Sequence, residues 1–265
     1  VIELLDPNRA KTISIMASRF RRPNKEVADQ IRRLDEAITE NEIESLKANL
    51  PTPEEISTVQ SYPDDPKQLD KADQFVLALS QVKLLQQHVE FLYLRKTFDE
   101  QMHDIEEPIS TIQQGLDQIK TSKKLKELLA LLLKIGNFIN GGSNRGGAYG
   151  FKLEFLDKFR EIRTVKPGYL LTNFIAEQYP VDDLWEDLSI LKKCLTFDFD
   201  TTKKNYRQLQ GTFNMLNNAM KEAEKLILDE PPSNLFPYFT EFKEKNNERI
   251  EKPASQIEQI DSDFV

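Results

Sequence analysis

The sequence predicts an all-α protein, and three observations carry that expectation. Apolar residues recur at spacings of three and four far more often than at two. Helix-start signals follow one another closely near the N-terminus, and a heptad-like apolar run fills the stretch after residue 208. Asp6-Pro7 and Thr52-Pro53 each set a capping side chain before a proline, whose fixed φ and missing N–H suit the first helical position. Thr39-x-x-Glu42 reads as a capping box, in which each side chain accepts from an orphan N–H of the first turn.

Further along, Ile105, Ile109, Ile112, Leu116 and Ile119 form one stripe, and Val181, Leu184, Leu188, Leu191 and Leu195 another. Both read as single buried faces. Residues 127–135 (ELLALLLKI) are apolar nearly all round, which predicts a core helix covered on every side. Leu209, Phe213, Leu216, Met220, Ala223 and Ile227 predict a long helix packed along a partner at a shallow angle. Pro231-Pro232 ends that run. A second helix from about Leu235, with Phe239, Phe242, Ile250, Ile257, Ile260 and Phe264, reads as the return arm of an antiparallel pair. Pro253 within it predicts a kink or a restart.

Composition excludes several classes. With one cysteine and nine glycines in 265 residues, disulfide scaffolds, zinc clusters and collagen-like repeats are out, and a reducing compartment fits. The longest unbroken apolar stretch, Leu128 to Leu133, is about a third of a bilayer span, and no secretory signal opens the chain. Beginning at Val1, the sequence reads as a piece of something longer.

Charge is more telling than its total of −8. Residues 9–33 carry eight basic and two acidic side chains, residues 120–166 carry eleven and four, and residues 34–74 between them carry three and eleven. Solvated helix faces account for such segments, and so does a polyanionic partner: a nucleic acid, an acidic membrane or an acidic protein filament. On a helix starting at Pro7, Ile13, Met16, Ala17 and Phe20 share one face, and Ile15 falls nearly opposite, with Asn8, Lys11, Ser18, Arg19 and Arg22 as angular neighbours. An aliphatic side chain in that setting is either covered by a second helix or left as an apolar anchor ringed by positive charge.

Six of the nine glycines (Gly136, Gly141, Gly142, Gly146, Gly147, Gly150) fall in GNFINGGSNRGGAYG. The segment lacks the GK[ST] ending of a phosphate loop and has no strand before it, and one Arg-Gly-Gly is too little for RNA binding. A loop crossing closely over a helix, with Asn137 and Asn140 satisfying its turns, is the structural reading. His88 and His103 lack the spacing of a helical metal pair, and Cys194 is flanked by apolar residues, so neither a metal set nor a nucleophile is expected. Asp64-Asp65 and Asp182-Asp183 read as helix caps.

With these residues in view, LLKIGNFINGGSNRGGAYGFKLEFLDKF resembles the signature of the formin homology 2 domain, and LLDPNRAKTISIMASRF followed by LPTPEEI resembles the start of its knob region. The likeness covers essentially the whole chain. It implies an elongated multi-helix bundle, with a knob over residues 1–95 and coiled-coil and post regions over 96–265. It also implies a cytoplasmic, cytoskeletal, non-enzymatic role in actin nucleation and processive barbed-end capping as a dimer, without cofactor or metal. Ile15 aligns with the family's knob isoleucine. Arg163 aligns with a second, basic actin contact, with Lys158 nearby; Lys11, Arg19 and Arg22 complete the expected actin-facing set. Gly136, Asn137, Phe138, Ile139, Asn140, Gly150, Phe151, Lys152 and Leu153 are expected to receive the N-terminal lasso of a second formin subunit. That lasso, the linker, the final post helices and the proline-rich profilin-binding segment are absent from this sequence, so a monomeric or weakly associated chain is expected. Phe138 and Ile139 replace the usual tyrosine and methionine, and Arg163 stands where lysine is common. No nucleic-acid partner and no membrane insertion are expected. A helical scaffold lying on acidic membranes is the alternative that the basic segments leave open.

Overall fold

A computed structural model describes residues 2–179, 182–226 and 234–264. Among them the only β-type pairings are two isolated bridges, Ile2 with Leu69 and Arg163 with Leu170, and the rest of the regular structure is helical. The expected starts are present. Asp6 accepts from the amides of Asn8 and Arg9 to open α1 (Pro7–Ala17). Thr39 opens α3 (Glu40–Ala48) and Thr52 opens α4 (Pro53–Gln60), each through a complete capping box. Between α1 and α3 lies α2 (Asn24–Arg33), ended by Leu34 in the left-handed conformation. After α4, Asp65 caps a short 3-10 turn, and Asp70 caps α5 (Lys71–Leu79).

The chain divides into two compact units. The first comprises residues 1–106 and 203–255. Within it α1, α2 and α4 pack around α5, and α1 also touches α3. Ile13 and Met16 of α1 are buried, as are Phe75, Val76 and Leu79 of α5. Long helices supply the rest: the start of α6 (Leu85–Thr121) and most of α12 (Phe199–Leu226) and α13 (Leu235–Asp263). Phe91 and Phe98 of α6 meet Phe239 and Phe242 of α13 edge-on at centroid distances of 5.1–5.6 Å, and Phe213 of α12 joins both α13 rings. Such rings supply large buried area with defined geometry.

The antiparallel pair is as expected, since Tyr206 donates to the Ile250 carbonyl while Asn217 accepts from Lys243. Leu209, Phe213, Leu216 and Met220 are all buried. The burial of Ala223, together with Ile227 and Pro231-Pro232, lies outside the described residues. Of the two outcomes expected at Pro253, a restart does not occur: the buried proline sits inside one uninterrupted helix, α13. Its ring removes a single helical donor, a loss that tertiary packing of the surrounding turns can absorb.

The second unit comprises residues 107–202 and 256–265. It holds the end of α6, then α7 (Lys123–Ile139), α8 (Phe155–Phe159), α9 (Leu171–Gln178), α10 (Asp182–Asp187) and α11 (Leu191–Cys194). The stripe from Leu184 to Leu195 is two short helices rather than one. Leu184 and Leu188 are buried, whereas Leu195 is exposed; Val181 lies outside the described residues. Gly115 of α6 explains the close approach of α11, because a Cβ there would stand 2.6 Å from the Cys194 Sγ and 3.2 Å from Leu191. That thiol donates to the Thr111 carbonyl, and burial pushes its pKa up.

The apolar helix α7 also differs from expectation. Leu132 alone in ELLALLLKI is buried, its other leucines and Ile135 are half-buried, and Ala130 is exposed. The helices α8, α9 and α10, of 5, 8 and 6 residues, are too short to sheathe a 17-residue cylinder. Among the described residues no helix is long and apolar enough to cross a membrane.

Candidate docking surfaces

Ile15 is 56% exposed, although Ile13 and Met16 beside it are fully packed. The open alternative of a covering helix is therefore settled within this chain: nothing described seals Ile15. Lys11, one turn before it, and Arg19, one turn after, are exposed and have no ion-pair partner among the described residues. The helix ends at Ala17, and Ser18 donates its hydroxyl to the Ile15 carbonyl.

Arg22 differs from the other basic residues around Ile15. Its guanidinium forms a fork with both carboxylate oxygens of Glu42 at 2.7 and 3.2 Å, and lies 5.3 Å from the Phe20 ring centroid. Arg9, at the other end of α1, does the same with Glu55 at 2.7 and 3.2 Å, and also donates to the carbonyls of Asn49 and Leu50. Burial pushes both glutamates up, but the arginine and backbone donors outweigh it and hold each carboxyl below its usual range. Arg9 was not among the expected site residues. Its partner lies 46 residues away, a separation no local pattern reveals.

The second surface belongs to the second unit. The glycine segment is a compact loop. Asn137 clasps it by donating to the Ala148 carbonyl at 2.9 Å and accepting from the Ala148 amide at 2.8 Å. Asn140 contributes its carbonyl, which accepts from the Ser143 amide and hydroxyl. Gly142 and Gly147 have φ of +83° and +72°, and a Cβ on Gly146 would stand 2.8 Å from the Asn140 oxygen. Those are the positions at which glycine is required.

The loop, the end of α7 and α8 enclose an open groove of about 740 Å³. Gly136, Asn137, Ile139, Asn140, Gly150, Phe151 and Lys152 line it, and so does Lys158, which the sequence assigned to the other surface. Phe138 and Leu153 do not line it and are 87% and 64% exposed. Lys158 lies 4.3 Å from the Phe155 ring centroid, a cation–π contact at the groove edge.

Arg163 begins a tight hairpin that the sequence reading missed. It bridges Leu170, and Thr164 donates from both its amide and its hydroxyl to the Tyr169 carbonyl across a Lys166-Pro167-Gly168-Tyr169 turn with Gly168 at φ +75°. Pro-Gly followed by an aromatic was the available signal. The Arg163 side chain is exposed, as are Lys166 and Val165.

No group of three or more His, Cys, Asp or Glu among the described residues is placed to hold a metal ion. His88 is buried, donating from Nδ1 to the Leu84 carbonyl. The fold and these surfaces thus define a class: an all-helical domain whose distinctive surface features are an exposed isoleucine on a helix and a groove under a glycine loop. The chain belongs to the formin homology 2 family, whose family model, the Formin Homology 2 Domain, matches residues 1–265. It is similar to human Protein diaphanous homolog 3 (30% identical over 237 residues, 87% of this chain and 19% of that protein) and to Formin-H of Dictyostelium discoideum (32% over 190 residues, 70% and 17%). Disheveled-associated activator of morphogenesis 1-A of Xenopus laevis is 26% identical over 231 residues, 84% of this chain and 21% of that protein. The chain spans about a fifth of the length of these relatives.

Proposed function

We propose that this chain is an actin-assembly domain that binds the barbed end of a filament, with Ile15 as apolar anchor and Lys11 and Arg19 as its basic surround. Arg163 and Lys158 supply a second, electrostatic contact. In this reading nucleation and processive capping are the work of a dimer, in which the groove at Gly136–Asn140 and Gly150–Lys152 receives a lasso segment of a second subunit. Phe138 and Leu153 flank that groove as exposed apolar residues. The work is differential binding of a short-lived oligomer, so the reading asks no bond-making of the domain and no cofactor. It locates the protein at the cytoskeleton of the cytoplasm.

The observation that carries the reading is Ile15: a large aliphatic side chain, 56% exposed, on a helix whose other isoleucine is fully packed, in a chain of the formin homology 2 family. An apolar centre with a basic rim suits a cleft on an acidic partner. Pyrene-actin elongation from preformed seeds tests it. Titrating the chain should change the end-growth rate saturably, and growth indifferent to the chain at every concentration rejects the reading.

One observation favours a second reading. Lys152, Lys158 and Lys166 are exposed among the exposed apolar residues Leu153, Phe155 and Val165, a mixture that also suits an anionic lipid surface. Cosedimentation with anionic liposomes in the absence of actin supports it, and indifference to lipid charge removes it.

A further inference from the structure

The start of α1 and the turn segment that follows its end are held by the same device. Glu42 is the third residue of α3, and its Oε2 accepts from the Thr39 amide at 2.8 Å as half of a capping box. Glu55 holds the equivalent position in α4, accepting from the Thr52 amide at 2.9 Å. Each carboxylate is therefore already oriented by its own helix when it meets an arginine. Glu55 takes the Arg9 fork near the start of α1, and Glu42 takes the Arg22 fork just beyond its end. All four side chains are largely covered, with relative exposures of 10–25%. Planar guanidinium–carboxylate pairs fix direction as well as distance. Arg22 is fixed further by Phe20, whose ring packs at 5.7 Å from Phe75 in the core.

We infer that Glu42 and Glu55, acting through Arg22 and Arg9, are positioning residues for the Ile15 contact: two clamps that set the roll of α1 and so the direction in which Ile15 points. The inference rests on the proposed role of Ile15 in binding the filament end. It gives Arg22 a different task from Lys11 and Arg19, because its charge is committed within the chain. The lever is geometric. With side chains at about 5–6 Å from a helix axis, a roll of about 20° moves the tip of Ile15 by roughly 2 Å. Displacements of that size are enough to lose a well-packed anchor contact.

Glu42→Gln and Glu55→Gln separate the clamp from the cap. Glutamine keeps the carbonyl that a capping box needs and loses the charge-assisted fork. The double variant is made both with Ile15 intact and in an Ile15→Ala background. These two proteins, the unmodified chain and Ile15→Ala alone are titrated in seeded actin elongation while their melting is followed by circular dichroism. The clamps predict a loss of end affinity of roughly three- to tenfold with Ile15 intact and less than twofold in the Ile15→Ala background, since a misdirected anchor matters only while the anchor exists. Equal losses in both backgrounds overturn the inference. So does lower melting with unchanged end affinity, which is what purely structural ion pairs give. Should Ile15→Ala alone leave affinity intact, the proposed anchor itself falls, a result distinct from failure of the clamps. Arg9→Lys with Arg22→Lys covers the case in which the glutamine variants do not fold. It keeps the charge and loses the fork, and a smaller loss that again depends on Ile15 is expected; no loss overturns the inference.

Discussion

Replacing Ile15 by alanine separates an anchor from a core residue, because Ile13 two positions away offers the opposite case on the same helix. Full burial of an isoleucine side chain contributes about 1.5–3 kcal/mol. Ile15 leaves 56% of its surface exposed, so a partner that covers the remainder gains about half of that. Truncation to alanine then removes about 1 kcal/mol by area, and up to about 2 kcal/mol if the contact is a desolvated hot spot. Filament-end affinity should fall roughly five- to thirtyfold. Stability should scarcely move. The small loss of packing inside the chain is offset by the better helix propensity of alanine, a few tenths of a kcal/mol. Ile13, with no exposure, should instead cost about 2–5 kcal/mol on truncation. The assay is melting by circular dichroism beside titration in seeded elongation. A fall in melting temperature for Ile15→Ala matching that of Ile13→Ala, or undiminished end affinity, rules out the anchor.

Arg163→Glu should weaken end binding at low salt, and the effect should shrink as ionic strength rises, because the exposed side chain acts through a screened field; a deficit independent of salt in the titration argues against an electrostatic contact. Gly115→Ala should lower stability by about 1–3 kcal/mol in denaturant unfolding, since its Cβ would stand 2.6 Å from the Cys194 Sγ, and adding Cys194→Ala should recover part of the loss. Burial holds the His88 pKa below its ordinary value, so the folded state resists a proton that the unfolded chain accepts. Stability present at neutral pH should therefore be lost as pH falls below about 6.5, and His88→Leu should flatten that limb of the denaturation profile. Glu42 and Glu55, whose pKa values are depressed, should add a separate loss at more acidic pH, below the ordinary glutamate range, visible in the same profile.

What the sequence revealed and what it concealed follow from the range of the interactions. Asp6, Thr39 and Thr52 cap helices with partners two or three residues away, so their patterns could be read directly. The outward placement of Ile15 followed from helical angle alone, as did the buried row from Leu209 to Met220. Tertiary context decided the rest. Glu42 was legible as a cap, but its pairing with Arg22 spans 20 residues, and that of Glu55 with Arg9 spans 46. The hydrophobicity of α7 was plain, but not that its short neighbours leave part of it lining an open groove. Leu195 continued an apolar period that the chain breaks at the turn between α10 and α11. The Asn137 clasp joins it to Ala148, eleven positions further on, closing a loop that composition identified only as glycine-rich.

If this domain occupies the end of an actin filament through Ile15, the occupancy can be watched. Single-filament fluorescence microscopy with the labelled chain and its Ile15→Ala variant does so without inferring binding from growth rates. Fluorescence is expected at growing barbed ends, saturable with concentration and sharply reduced for the variant. Label spread along filament sides, absent from ends, or indifferent to the substitution would contradict the proposal.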